Sequence, residues 1–114
     1  MPENINSDLI RGLIDTLILR ILLDGDSYGY EIMKAVLANS GGAYELKEPS
    51  LYTSLKRLEK QGQIQSYWGD ESLGGRRKYY RITKSGKAAL ESASFEWLRA
   101  QKIINLLLFG GGDK

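Results

Sequence analysis

The chain of 114 residues contains no cysteine and no histidine. Without cysteine there are no disulfides, thiolate metal sites or sulfur nucleophiles. Without histidine the commonest general base and the usual nitrogen metal ligand are missing too. The carboxylates show neither a paired arrangement nor metal-ligand spacing, so the sequence argues against an enzyme and calls for no cofactor and no metal. The opening "MPENINSDLI" lacks a basic segment followed by an apolar one, so no signal peptide is expected. Arg11, Asp15 and Arg20 interrupt one apolar stretch, and Arg99, Lys102 and Asn105 interrupt another. Neither spans a bilayer, so a cytoplasmic protein without membrane contact is expected. Internal repeats and low-complexity blocks are likewise missing.

What is present is an uneven charge distribution. The net charge is only +2. Residues 1–46 hold three basic and seven acidic side chains, a net −4, whereas residues 47–87 hold ten basic and four acidic ones, a net +6. Such a positive middle third suggests a polyanion partner more strongly than total charge does.

Apolar periodicity predicts the order helix, helix, helix, hairpin, long helix. Ser7 and Asp8 are candidate caps for a helix reaching Leu23, whose apolar residues cover more than one stripe and so contact two surfaces. "DGDS" breaks it, and Ser27 is a candidate cap for a second helix over Tyr28–Asn39, with Ile32, Val36 and Leu37 on one side. A loop follows, with a short strand expected at Tyr44–Leu46. Pro49 suits the first turn of a third helix that stops at Gly62. Leu51, Leu55 and Leu58 form its buried face. Strands over 63–68 and 78–83 alternate as a two-stranded ribbon, with Trp68 packed beneath its tip. Thr83 caps a final helix over 84–109, and "GGGDK" is a frayed tail.

This order, with a basic third helix and a basic hairpin, predicts a mainly helical α+β chain: a winged helix-turn-helix over residues 1–83, a dimerisation helix over 84–109 and a disordered tail over 110–114. A recognition helix buries one side and offers short polar and basic groups on the other to the major groove of double-stranded DNA. Ser50, Tyr52, Thr53 and Lys56 lie near the helix start, the end that usually points at bases. Arg57 and Lys60 are better placed for phosphates. In the wing, Gly75 permits close backbone approach, and Arg76, Arg77 and Lys78 supply charge for phosphate or minor-groove contact. A basic run is also what a solvated amphipathic face looks like. A protein-interaction adaptor is therefore the alternative, and RNA binding a weaker variant.

In the last helix Leu90, Ala93, Trp97, Ala100, Ile104 and Leu107 recur at alternating spacings of three and four, a heptad-like seam. Leu98, Ile103, Leu106 and Leu108 extend it. A chain this short has little left to cover such a face, so a two-fold homodimer is expected. Trp97 stands between the small residues Ala93 and Ala100. It either fills the seam or leaves a gap in which a planar aromatic or cationic guest stacks.

"YGYEIMK" (28–34), "EPSLYTSLKRLEKQG" (48–62) and "GGRRKYYRITKSGK" (74–87) resemble the PadR family of bacterial transcriptional regulators. "SYWGDESLGGRRKYYRIT" (66–83) is most similar to its small multidrug-sensing subgroup. The resemblance runs from about Leu9 to Ile104. It implies a dimeric winged-helix repressor on a pseudo-palindromic operator. Positions matching Ser50, Tyr52, Thr53 and Lys56 would enter the groove, and those matching Gly75, Arg76, Arg77 and Lys78 would form the wing contact. The subgroup also implies a ligand pore at the dimer interface walled by Leu9, Gly12, Asp15, Thr16, Ser94, Trp97, Ala100 and Gln101. Two positions depart from the subgroup's pattern, which has an aromatic residue at the place of Ser94 and an acid at the place of Gln101. Asp15, where that pattern has an amide, would then restore the negative charge.

Overall fold

The computed structural model describes residues 4–69 and 76–110. The chain opens with α1 (Ser7–Ile10), a 3₁₀ turn (Arg11–Leu13) and α2 (Ile14–Leu23). The single helix expected over 7–23 is thus broken at Gly12, a residue that weakens helix interiors. The cap is Asn6, whose side-chain oxygen accepts from the Asp8 amide at 2.8 Å, rather than Ser7 or Asp8. Next come β1 (Ser27–Tyr28), α3 (Gly29–Asn39), α4 (Glu48–Lys60), β2 (Ile64–Gly69), β3 (Arg77–Ile82) and α5 (Lys84–Phe109).

The sheet has three antiparallel strands in the order β1-β3-β2, not two. Ser27 pairs with Tyr80 and Tyr28 with Tyr79, so Ser27 belongs to a strand instead of capping a helix, and its hydroxyl donates to Glu31 at 3.0 Å. Across the hairpin, Ile64 faces Ile82, Ser66 faces Tyr80 and Trp68 faces Lys78. The turn residues 70–75, Gly75 among them, and the end of the expected tail lie outside the described residues.

The core collects one stripe from each element: Ile18, Leu19 and Leu22 of α2; Ile32 and Val36 of α3; Leu51, Leu55 and Leu58 of α4; Ile64, Tyr80 and Ile82 of the sheet. Spacings of three and four bring these side chains onto single helix faces. Leu37, expected on the buried side of α3, lies at its exposed edge. Tyr44 and Leu46 are buried without forming a strand. Ser40 holds that loop instead, accepting from the Tyr44 amide at 3.0 Å and donating to the Leu37 carbonyl at 2.9 Å. Trp68 does not pack beneath the hairpin tip. It is 56 % exposed, with the Arg76 guanidinium 5.3 Å from its ring centre.

Thr83 caps α5, accepting from the Gly86 amide at 3.0 Å and donating to the Gly62 carbonyl at 2.7 Å. Gly86 is required by close packing: a Cβ there would stand 2.1 Å from the Gln63 carbonyl oxygen. Along α5 only Gly86 and Leu90 are fully buried. The helix ends at Gly110 in the left-handed region (φ 78°), whose amide donates to the Leu106 carbonyl. No helix among the described residues is long and apolar enough to cross a membrane.

Candidate nucleic-acid interface

Pro49 stands in the first turn of α4, where a missing N–H costs nothing. Leu51, Ser54, Leu55 and Leu58 turn inward. Ser50, Tyr52, Thr53, Lys56 and Lys60 are thereby left on the solvent face. The base of the wing lies beside them, because β3 carries Arg77 and Lys78 out of the sheet. The wing cations rest on aromatic rings. The Arg77 guanidinium is 4.6 Å from the centre of Tyr28, and the Lys78 ammonium is 5.9 Å from that of Tyr80. With Arg76 on Trp68, the three form an exposed basic edge on an aromatic bed, a contact that stabilises each cation by roughly 0.5–1 kcal/mol at exposed sites. Tyr79 and Tyr80 point to opposite sides of β3. Tyr80 is in the core, while Tyr79 stacks on Tyr67 at 5.7 Å.

Arg57 differs from its neighbours. Its Nε and a terminal nitrogen donate to both carboxylate oxygens of Asp15, at 2.7 and 2.8 Å, and it also donates to Ser54 at 3.2 Å. The pair ties α2 to the last turns of α4. Burial by itself would raise the Asp15 carboxyl, but hydrogen bonds from Arg57 and Ser54, with the guanidinium charge, outweigh it and hold the group below the usual carboxylate value. Asp15, placed by the family resemblance in a ligand wall, thus faces α4. Arg57, assigned to phosphate, is held by a carboxylate of its own chain.

Behind this face a cleft of about 800 Å³ runs between α1–α2 and α5. Leu9, Thr16, Ser94, Trp97 and Gln101 line it, together with Leu90, Ala93 and Ile104 from the expected seam. Gly12, Asp15, Ala100 and Leu107 do not. Leu90 belongs at once to the monomer core, 7 % exposed, and to the cleft floor. Leu13, Leu17 and Arg20 also line the cleft. Sequence reasoning assigns them no role there; the signal for Leu13 and Leu17 is the surplus apolar coverage of the first helix, and Arg20 carries none. Trp97 is 45 % exposed, and Leu107, beyond the cleft, 79 %. The Ser94 hydroxyl is turned back to the Leu90 carbonyl at 2.8 Å.

Residues 18–92 match the sequence profile of the transcriptional regulator PadR-like family. The chain belongs to the PadR-like family. An uncharacterized protein of Lysinibacillus sphaericus is 45 % identical over 106 residues, covering 93 % of this chain and 97 % of its own. Among solved structures, a transcriptional regulator from Clostridium thermocellum superposes with a TM-score of 0.84 at 46 % identity, covering 91 % of this chain and 98 % of that one. A PadR family transcription regulator from Clostridium difficile gives 0.73 at 44 % identity, covering 84 % and 98 %. This PadR-like chain is therefore a transcription regulator with a DNA-binding winged helix, and not an enzyme.

Proposed function

We propose that the protein is a ligand-responsive repressor of the small multidrug-sensing kind, acting as a homodimer on a pseudo-palindromic operator. Residues 1–83 serve as the reading unit and residues 84–109 as the dimerisation helix. Ser50, Tyr52, Thr53 and Lys56 address the major groove, Lys60 the backbone, and the wing from Gly75 to Lys78 a phosphate or the minor groove. Two such units in a dimer would meet half-sites about 34 Å apart, one turn of duplex.

One observation carries the ligand half of this reading: Trp97 stands half-exposed in an apolar cleft of about 800 Å³. That volume falls within the ~300–1,000 Å³ typical of small-molecule sites. The apolar face of α5 continues from Ile104 in the cleft to Leu107 beyond it, both exposed in the single chain. A second copy of α5 seated there would bury that face and close the cleft. A flat aromatic cation between Trp97 and its symmetry mate would gain stacking and cation–π energy. To induce, the guest must favour the arrangement that cannot hold DNA, since equal affinity for both states shifts nothing.

The test uses the Trp68→Phe variant, which leaves Trp97 as the sole indole, and the DNA just upstream of the protein's own gene. Planar cationic dyes should quench Trp97 at concentrations that also release the DNA. Unchanged emission across a dye panel, with DNA retention unaffected, refutes the ligand response. Binding should weaken by roughly 0.9 log units per neutralised phosphate per log of salt. A slope near zero favours the protein-interaction adaptor.

A further inference from the structure

We propose that the groove between α4 and the base of the wing seats one phosphodiester of the DNA backbone, held by the Tyr52 hydroxyl and the Lys78 ammonium, and that Gly29 places that hydroxyl. The inference rests on the DNA-binding reading and alters one part of it: Tyr52 becomes a backbone contact in place of a base reader.

The groove exists because β1 joins the sheet. Pairing of Tyr28 with Tyr79 draws the start of α3 against the wing. A concavity of about 360 Å³ is left there, and Gly29, Tyr52, Arg77 and Lys78 are among the residues that line it. No acidic residue is among the described residues lining it. Its walls are fixed before any ligand arrives. The Tyr28 ring meets Tyr79 edge-on at 5.4 Å, with Arg77 against it, and Tyr80 is buried. The Tyr52 hydroxyl lies directly on the Gly29 backbone: a Cβ there would stand 2.4 Å from its oxygen and 3.1 Å from the ring carbon bearing it. Any other residue at 29 pushes the phenol outward. A phenol O–H set by Gly29 and an ammonium around a groove whose described lining holds no carboxylate match an anion with several acceptor oxygens, which is what a backbone phosphate presents. Tyrosine is among the residues that donate to phosphates, and such contacts set register on the duplex without reading sequence.

The experiment measures affinity by fluorescence anisotropy for two duplexes of equal length, the DNA upstream of the protein's own gene and an unrelated sequence. Each carries single methylphosphonate replacements in turn. Tyr52→Phe should weaken binding to both duplexes by the same factor, roughly 10- to 100-fold for a hydrogen bond to a charged group, with the salt slope unchanged. Lys78→Gln should lower that slope by about 0.9 for each phosphate released. One methylphosphonate position should weaken the wild type by more than Tyr52→Phe does, because it releases Lys78 as well, and should cost the Tyr52→Phe, Lys78→Gln double variant nothing further. Gly29→Ala should match the loss in Tyr52→Phe, and those two substitutions together should lose no more than either alone. Replacing chloride by inorganic phosphate at equal ionic strength should leave the ratio of wild type to variant unchanged. A ratio that collapses assigns the groove to free phosphate and overturns the proposal. So does loss confined to the upstream duplex, which makes Tyr52 a base reader, or a methylphosphonate scan in which no position's effect disappears in the Tyr52→Phe, Lys78→Gln double variant. If the wild type binds neither duplex, the DNA-binding reading itself fails, a result distinct from all of these.

Discussion

Replacing Asp15 by Asn tests whether the ion pair between α2 and α4 contributes to stability. The two N–O distances of 2.7 and 2.8 Å define a bidentate arrangement, the stronger form of this contact. Opposite charges about 4 Å apart attract by about 4 kcal/mol at an effective dielectric of 20. The side chains are 48 % and 29 % exposed, so water screens much of that, and the net value falls to about 1 kcal/mol. In a chain of this size that corresponds to a melting temperature roughly 4 °C lower. Acid should abolish the difference. The folded Asp15 carboxyl ionises below its ordinary value of 3.8, so its contribution is complete above that value and fades as pH falls through the lower, folded one. Thermal melts of wild type and Asp15→Asn should therefore differ by a constant amount from pH 7 to pH 5, then converge as pH falls below 3.8 and through the lower, folded value. A double-mutant cycle with Arg57→Gln should return a coupling of about 0.5–1 kcal/mol. Equal melting temperatures at neutral pH, or a gap that persists unchanged into strong acid, refute the reasoning.

Gly86→Ala should destabilise the fold by about 2 kcal/mol, because its methyl group meets the Gln63 carbonyl backbone, which has no side-chain freedom with which to yield; urea titration measures this, and a loss below ~0.5 kcal/mol contradicts the close approach. Leu107→Lys leaves the monomer intact, since the residue is exposed there, but removes about 2 kcal/mol of burial from each copy of a two-fold dimer. Sedimentation should then show the dimer dissociation constant raised by roughly a thousandfold, whereas an unchanged monomer–dimer equilibrium places the seam elsewhere. Trp97→Ala should weaken planar-dye binding at least tenfold by equilibrium dialysis, and undiminished binding would move the guest out of the α2–α5 cleft.

Elements announced by local chemistry were legible in the sequence. The bounds of α5 follow from the Thr83 cap and its apolar repeat, and those of α4 from Pro49 and Gly62. Period-two alternation gave β2 and β3 to within a residue. What escaped depends on partners distant in the chain. Two residues of β1 carry no periodic signal, and their strand character comes from pairing with Tyr79 and Tyr80 some fifty positions later. Asp15 finds Arg57 at a separation of 42 residues, so neither charge could be assigned a partner in advance. Leu90 fits both a seam and a core by spacing, and only packing shows that it belongs to the core. Five of the eight residues carried over by family resemblance to the ligand wall line the cleft. Gly12 and Asp15 do not, because the break at Gly12 and the turn of α2 direct them elsewhere, and neither does Ala100 of α5.

The way α5 is fastened has a mechanical consequence. Its deep anchors, Gly86 and Leu90, both fall within its first two turns. From Leu90 to Phe109 the rod extends roughly 28 Å at 1.5 Å per residue. A tilt of about 10° at that pivot swings the far end by roughly 5 Å, more than the spacing between neighbouring base pairs along B-form duplex, ~3.4 Å. A small rotation about Gly86 and Leu90 is thus amplified along the rod into a displacement of several ångströms at its tip.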